Sequence, residues 1–145
     1  MMNYFSRTKL VAALGALALV SVVGTVMVRR ADAQQSNFMG GAPEVLDRAA
    51  MGDVAALRLR FPAGVRSNWH THTDGQLLMV ESGHGLHQVR GGPIEMKGPG
   101  EPWWTPAGVE HWHGAAPNED VVQWTFYSGS VDWMDPVTDD QYHLP

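Results

Sequence analysis

Between Ala55 and Tyr127 the chain meets a turn signal every few residues, and this punctuation narrows its fold more than any other feature. Pro62-Ala63-Gly64, Ser82-Gly83, Gly91-Gly92-Pro93, Gly98-Pro99-Gly100, Pro106-Ala107-Gly108 and Ala116-Pro117-Asn118 interrupt it in turn. The runs between them are short, and none sustains the roughly 3.6-residue apolar period of a helix. They read as strands instead. Leu57, Leu59 and Phe61 alternate with Arg58 and Arg60, the pattern of a half-buried strand. Further strands are expected at Asn68–His72, Gln76–Glu81, Gly85–Arg90, Ile94–Lys97, Pro102–Thr105, Val109–His113 and Val121–Tyr127. Many short strands at close, even spacing predict an all-β barrel or sandwich. Near the end, Thr138-Asp139-Asp140-Gln141 has the pattern of a capping box and predicts one short helical turn.

Two of the expected strands carry paired histidines, His70-Thr71-His72 and His111-Trp112-His113. Residues i and i+2 of a strand face the same side, so each pair presents two imidazoles together. The chain has no cysteine, which leaves neutral imidazole as its best ligand for a transition metal. A barrel that brought the pairs together would hold one ion.

The N-terminal third is different in kind. Leu10 to Val28 carries no charge over 19 residues, with Arg7 and Lys9 before it and Ala31-Asp32-Ala33 after it. This reads as a signal peptide over residues 1–33, with cleavage near Gln34; the rival reading is an uncleaved membrane anchor over residues 10–28. Either way the folded part is expected outside the cytoplasmic membrane, periplasmic or secreted, and it would touch a membrane only if the segment stays uncleaved. No paired arginines precede the apolar run, which favours export of an unfolded chain. Removing residues 1–33 leaves 112 residues, one domain's worth, with six basic against fourteen acidic residues and a net charge of −8. Such acidity excludes a phosphate-backbone binder, so no nucleic-acid partner is expected. Residues 34–54 read as an N-terminal arm and residues 55–145 as the domain with its tail.

The spacing around the histidine pairs is distinctive. Gly64 is followed by five residues, His70-Thr71-His72, three residues, Gln76, six residues and Gly83. Gly100 is followed by five residues, Pro106-Ala107-Gly108, two residues and His111. These segments resemble the paired motifs of the cupin superfamily, small double-sheet barrels of the jelly-roll kind. The resemblance implies a single jelly-roll domain behind the N-terminal signal or anchor. It also implies one divalent metal ion held by His70, His72, Gln76 and His111. Most cupins carry glutamate where this chain has Gln76; the amide leaves the ion a formal +2 and a stronger Lewis acid. A His, His, Gln, His set resembles the manganese-dependent hydroxynitrile lyases. So do His72-Thr73-Asp74-Gly75-Gln76, the stretch from His111 to Pro117, and the tail from Val131 to Tyr142. Similar small cupins are described only as carboxymuconolactone-decarboxylase-like.

The resemblance implies manganese, while zinc, iron, copper or nickel would suit the same ligands; in an exported chain zinc or copper is the expectation. It implies a small-molecule substrate carrying a hydroxyl or carbonyl, cleaved by a lyase or handled by acid–base chemistry. His113, two residues past His111 on the same face, is the candidate base, or else a supporting histidine. Leu57, Leu59, Gln123 and Tyr127 are the expected pocket residues. Gln123 stands where those lyases have a further pocket histidine, and Leu57 and Leu59 where they have smaller side chains. A metal-dependent dioxygenase and a non-catalytic metal- or ligand-binding cupin are the alternatives.

The remaining histidines have plainer readings. His84 and His87 flank a glycine turn and are expected at the solvated rim, and His143 near the terminus is expected exposed. Trp103, Trp104, Trp112 and Trp124 are read as core or as the face of a homodimer rather than as a substrate stack. Trp69 and Thr71 should point away from the ion. Asp132, Asp135, Asp139 and Asp140 are read as a solvated surface.

Overall fold

Alternating side chains and glycine turns fold this chain into two facing antiparallel sheets in the computed structural model, which describes residues 36–143. The leader or anchor expected over residues 1–33 lies outside the described residues. In chain order the strands are β1 (Phe38–Met39), β2 (Glu44–Met51), β3 (Val54–Phe61), β4 (Arg66–Ser67), β5 (His70–His72) and β6 (Gln76–Ser82). They continue with β7 (Gly85–Val89), β8 (Ile94–Lys97), β9 (Pro102–Thr105), β10 (His111–Ala115), β11 (Val121–Tyr127) and β12 (Val131–Trp133). One helical turn, α1 (Asp139–Tyr142), follows.

One sheet runs β2-β3-β11-β6-β9. The other is built around β10, which pairs with β7 along one edge and with β4 and β5 along the opposite one; β8, β1 and β12 extend it. Between the sheets lie Leu59, Phe61, Val65, Leu78, Val80, Trp103, Ala115 and Val121, all buried. The alternation that predicted β3 is the cause: Leu57, Leu59 and Phe61 face this core, while Arg58 and Arg60 face out to Glu81, Glu44 and Asp120.

The back of the β10 sheet is also covered, by the C-terminal tail. Trp69, Leu86, Trp112 and Ala116 pack there against Val137 and Tyr142. Trp103 and Trp112 are therefore core residues, whereas Trp104 is 57% exposed on the outer face of the other sheet. The capping box forms as expected, with Thr138 and Gln141 exchanging side-chain and backbone bonds.

One expectation is refined here: of the stretch read as an N-terminal arm, the described residues 36–54 join the sheets, because β1 pairs with β4 and β2 pairs along the length of β3. The aspartates of the tail, Asp132, Asp135, Asp139 and Asp140, are exposed as expected, and two of them pair at the surface, Asp135 with Arg90 and Asp139 with Arg66.

Arg66, 3% exposed, ties the tail down. Its Nε and Nη2 donate to the Val137 carbonyl at 3.1 and 2.8 Å, Nη2 reaches Asp139 at 2.7 Å, and the guanidinium lies 4.2 Å from the Tyr142 ring centroid. Arg66→Ala leaves that carbonyl unpaired and opens the space beneath Tyr142. We expect a loss of about 2–4 kcal/mol, read from urea denaturation.

Candidate metal centre

The inward residues of β5 and β10 meet because His70 lies directly opposite His111 across the antiparallel pair. His72 follows two residues along β5, and His113 two residues along β10. The ligand nitrogens of His70, His72 and His111 all lie within 4.8 Å of one another, and all three side chains are buried. Ring centroids of His70 and His111 are 4.2 Å apart. Gln76, the first residue of β6, reaches over from the opposite sheet and places Oε1 at 2.8 Å from His111 Nε2.

The hydrogen bonds around these groups leave the cluster rich in lone pairs. His70 Nδ1–H donates to the Asn68 carbonyl and His111 Nδ1–H to the Val109 carbonyl, each at 2.9 Å, so both rings turn an unprotonated Nε2 inward. Gln76 Nε2 donates to Thr125 Oγ1 at 2.7 Å, which commits the amide oxygen to the centre. His111 Nε2 and Gln76 Oε1 are thus two acceptors face to face. Both nitrogens of His72 are buried with no partner among the described residues. Such an arrangement is costly alone and is relieved by a cation shared among the lone pairs. Three neutral imidazoles and one neutral oxygen are donors suited to a divalent transition metal, so the cluster could hold one such ion.

Protonation is a poor substitute for that ion. Burial, then the neighbouring His111, pushes His70 well below the ordinary histidine value and His72 down to about 4. Burial also lowers His111, against the opposing effect of its bond to the Val109 carbonyl. At neutral pH the rings are uncharged and ready to ligate.

A cavity of about 410 Å³, counted out to its open mouth, adjoins the cluster. His70, His72, Gln76, His113 and Thr125 form its polar wall. Leu57, Leu59 and Tyr127 line it from β3 and β11. Its mouth is aromatic: Phe38 and Trp133 meet edge to face at 5.6 Å, and Trp133 lies 4.9 Å from His70. Gln123 is not on the cavity wall. It is completely buried behind His113, and its Nε2 donates to His113 Nδ1 at 2.7 Å.

His113 is only 4% exposed, and burial among the other imidazoles holds its pKa well below the ordinary value. His84 is exposed and pairs with Glu119, and His143 is exposed, both as expected. His87 is not at the rim. It faces inward from β7 opposite His113, is 5% exposed, and its ring centroid lies 5.7 Å from that of His111. Burial, then His111, lowers its pKa to about 4. Strand parity along β7 was the available signal, since His87 alternates with Leu86 and Gln88, but that pattern does not say which face is inside.

Two antiparallel sheets closed around an inward histidine cluster and a small cavity define a double-sheet β-barrel with a metal-type pocket. The chain belongs to the cupin superfamily. Residues 57–127 match the cupin domain model. Over 93 residues the chain is 43% identical to an (R)-mandelonitrile lyase of Granulicella tundricola, covering 61% of this chain and 71% of that one. A cupin-like protein of Thermotoga maritima superposes with a TM-score of 0.64 at 33% identity, over 72% of this chain and 84% of the other. A DMSP lyase of Ruegeria pomeroyi has the same fold, with a TM-score of 0.56 at 18% identity over 83% of this chain and 70% of that one.

Proposed function

We propose that this chain is a metal-dependent lyase that cleaves a small cyanohydrin to a carbonyl compound and hydrogen cyanide. The observation that carries the reading is the neutral set of His70, His72, His111 and Gln76 at the wall of an aromatic-mouthed cavity. A divalent ion held there supplies Lewis acidity toward a hydroxyl oxygen, undiminished by any carboxylate ligand. The relative named as an (R)-mandelonitrile lyase supports the substrate class.

The chain's own residues provide the rest. Asn68 and Val109, through their carbonyls, hold two imidazoles in the tautomer that ligates. Thr125 orients the Gln76 amide. Phe38, Leu57, Tyr127 and Trp133 give an apolar mouth that suits an aryl or alkyl substituent and sheds water. His113 closes the polar wall beside the cluster, within reach of a ligand in the cavity.

Manganese is the metal the lyase reading brings with it, and zinc, iron, copper or nickel fit the same donors. Cyanide release from mandelonitrile by the metal-loaded chain tests the reading directly. Release that is absent with every one of these metals would refute it, and oxygen consumption in its place would make the chain a dioxygenase. Gln76→Glu provides a finer check. The carboxylate neutralises one charge, so metal should be held at least as tightly while cyanide release falls by roughly tenfold or more. Metal content and rate measured on the same samples separate the two effects.

A further inference from the structure

We infer that Gln123 fixes His113 as its neutral Nε2–H tautomer, which makes the cavity wall beside the imidazole cluster a hydrogen-bond-donating subsite. That subsite takes an unprotonated acceptor atom of the substrate, a carbonyl oxygen or a nitrile nitrogen. This is the reverse of the role of base that position 113 suggests from the sequence.

The inference follows from which groups own hydrogens. Gln123 sits on β11 with its side chain completely buried, and its Nε2 can only donate; its partner at 2.7 Å is His113 Nδ1. A neutral imidazole that accepts at Nδ1 carries its single hydrogen on Nε2. The ring is held in that orientation. Its backbone N–H donates to Ser67 Oγ at 3.1 Å, and Phe61 packs against it with ring centroids 5.7 Å apart and planes at 71°. Among the described residues no protein group bonds to His113 Nε2, and His113 lines the cavity.

A second donor is close to the same wall. Thr125 Oγ1 accepts from Gln76 Nε2, so its own hydroxyl hydrogen stays available to the cavity that it lines. Donors fixed in advance at the wall of a mostly apolar cavity favour charge that develops on an acceptor and cost no reorganisation. His113 in this state cannot take up a substrate proton at Nε2, and giving one up would leave an imidazolate. It therefore binds and polarises. Combined with the lyase reading, the nitrile end of the substrate faces His113; the tautomer itself does not rest on that reading.

Long-range proton–nitrogen correlation spectra of the uniformly ¹⁵N-labelled chain, stripped of metal and again loaded with diamagnetic zinc, report which ring nitrogen is protonated. At neutral pH we expect His113 Nε2 protonated and Nδ1 bare in both samples. A hydrogen on Nδ1, or on both nitrogens, overturns the inference. Gln123→Met keeps the volume and removes the donor, and the His113 nitrogen shifts should then move toward the average of two exchanging tautomers. A folded Gln123→Met chain that keeps the Nε2–H pattern unchanged would remove Gln123 from the assignment. Should that variant fail to fold, the wild-type spectrum still decides. A chain that released no cyanide would refute the lyase reading while leaving this measurement intact.

Discussion

His111→Ala is expected to cost this chain its metal and, with it, any cyanide release. His111 is the hinge of the cluster: its ring lies 4.2 Å from His70 and 5.6 Å from His72, and its Nε2 faces the Gln76 amide oxygen at 2.8 Å. Alanine removes one of four donors, while Thr125 still orients the Gln76 amide. Losing an outer partner of a ligand costs about 10–100-fold in metal affinity, so losing the ligand itself should cost roughly 100-fold or more. Competition against a chelator measures this. Far-ultraviolet circular dichroism should keep its strand signature, because the sheets do not depend on this one ring. His84→Ala is the matched control, since His84 lies on the surface against Glu119, and it should leave metal affinity unchanged.

The second large effect is acid lability of the metal-free protein. His72 and His87 are driven to about 4, in each case first by burial and then by His111, and burial also holds His70 and His113 well below the ordinary histidine value. In the unfolded chain these imidazoles return to about 6.5. Between pH 6.5 and 4 the unfolded state thus binds protons that the folded state refuses. Stability must fall as pH drops through that window and level off above it. At about 1.4 kcal/mol per unit, His87 contributes on the order of 3 kcal/mol and His72 somewhat less, since its ring borders the open cavity. Together these approach the roughly 5–15 kcal/mol that a whole domain has to spend.

Urea midpoints of the stripped protein should therefore fall steeply from pH 7 to pH 5. Bound metal should move the loss to lower pH, because it binds only the folded, deprotonated site. Stability that stays flat from pH 7 to pH 4.5 would contradict the buried, neutral state of these rings. His87→Gln should flatten the slope, since that side chain accepts no proton in either state.

The limits of sequence reading here are physical ones. Strands β3, β6, β7 and β9 to β11 were legible because one face of each meets a core, and Leu59, Leu78, Leu86 and Val121 mark the side that does; β8, with no buried residue, was legible from the glycine turns on either side of it. β2 was not, since all eight of its residues are exposed and it carries no alternation to read. β1, β4 and β12 are two or three residues long and exist only through their partners, β4 for the first, β1 and β10 for the second and β5 for the third. In the same way, His70, His72, Gln76 and His111 could be proposed as a group from spacing matched to a family motif. Their hydrogen-bond directions could not. His87 was placed at the rim because it lies close to a glycine turn, whereas its pairing opposite His113 on β10 puts it inside. Gln123 was rightly expected to face inward from β11, but depth is not encoded in parity, and it stands behind His113 instead of on the cavity wall.

Calorimetric titration of the chelator-stripped protein with zinc or manganese at neutral pH is the most direct measurement of the shared site. One equivalent should bind to wild-type chain, with proton release small because the imidazoles are already neutral, and none should bind to a folded His70→Ala/His72→Ala/His111→Ala variant. Binding that persisted in that variant, or a wild-type chain that took up no metal, would contradict a centre built from three imidazoles and the Gln76 amide.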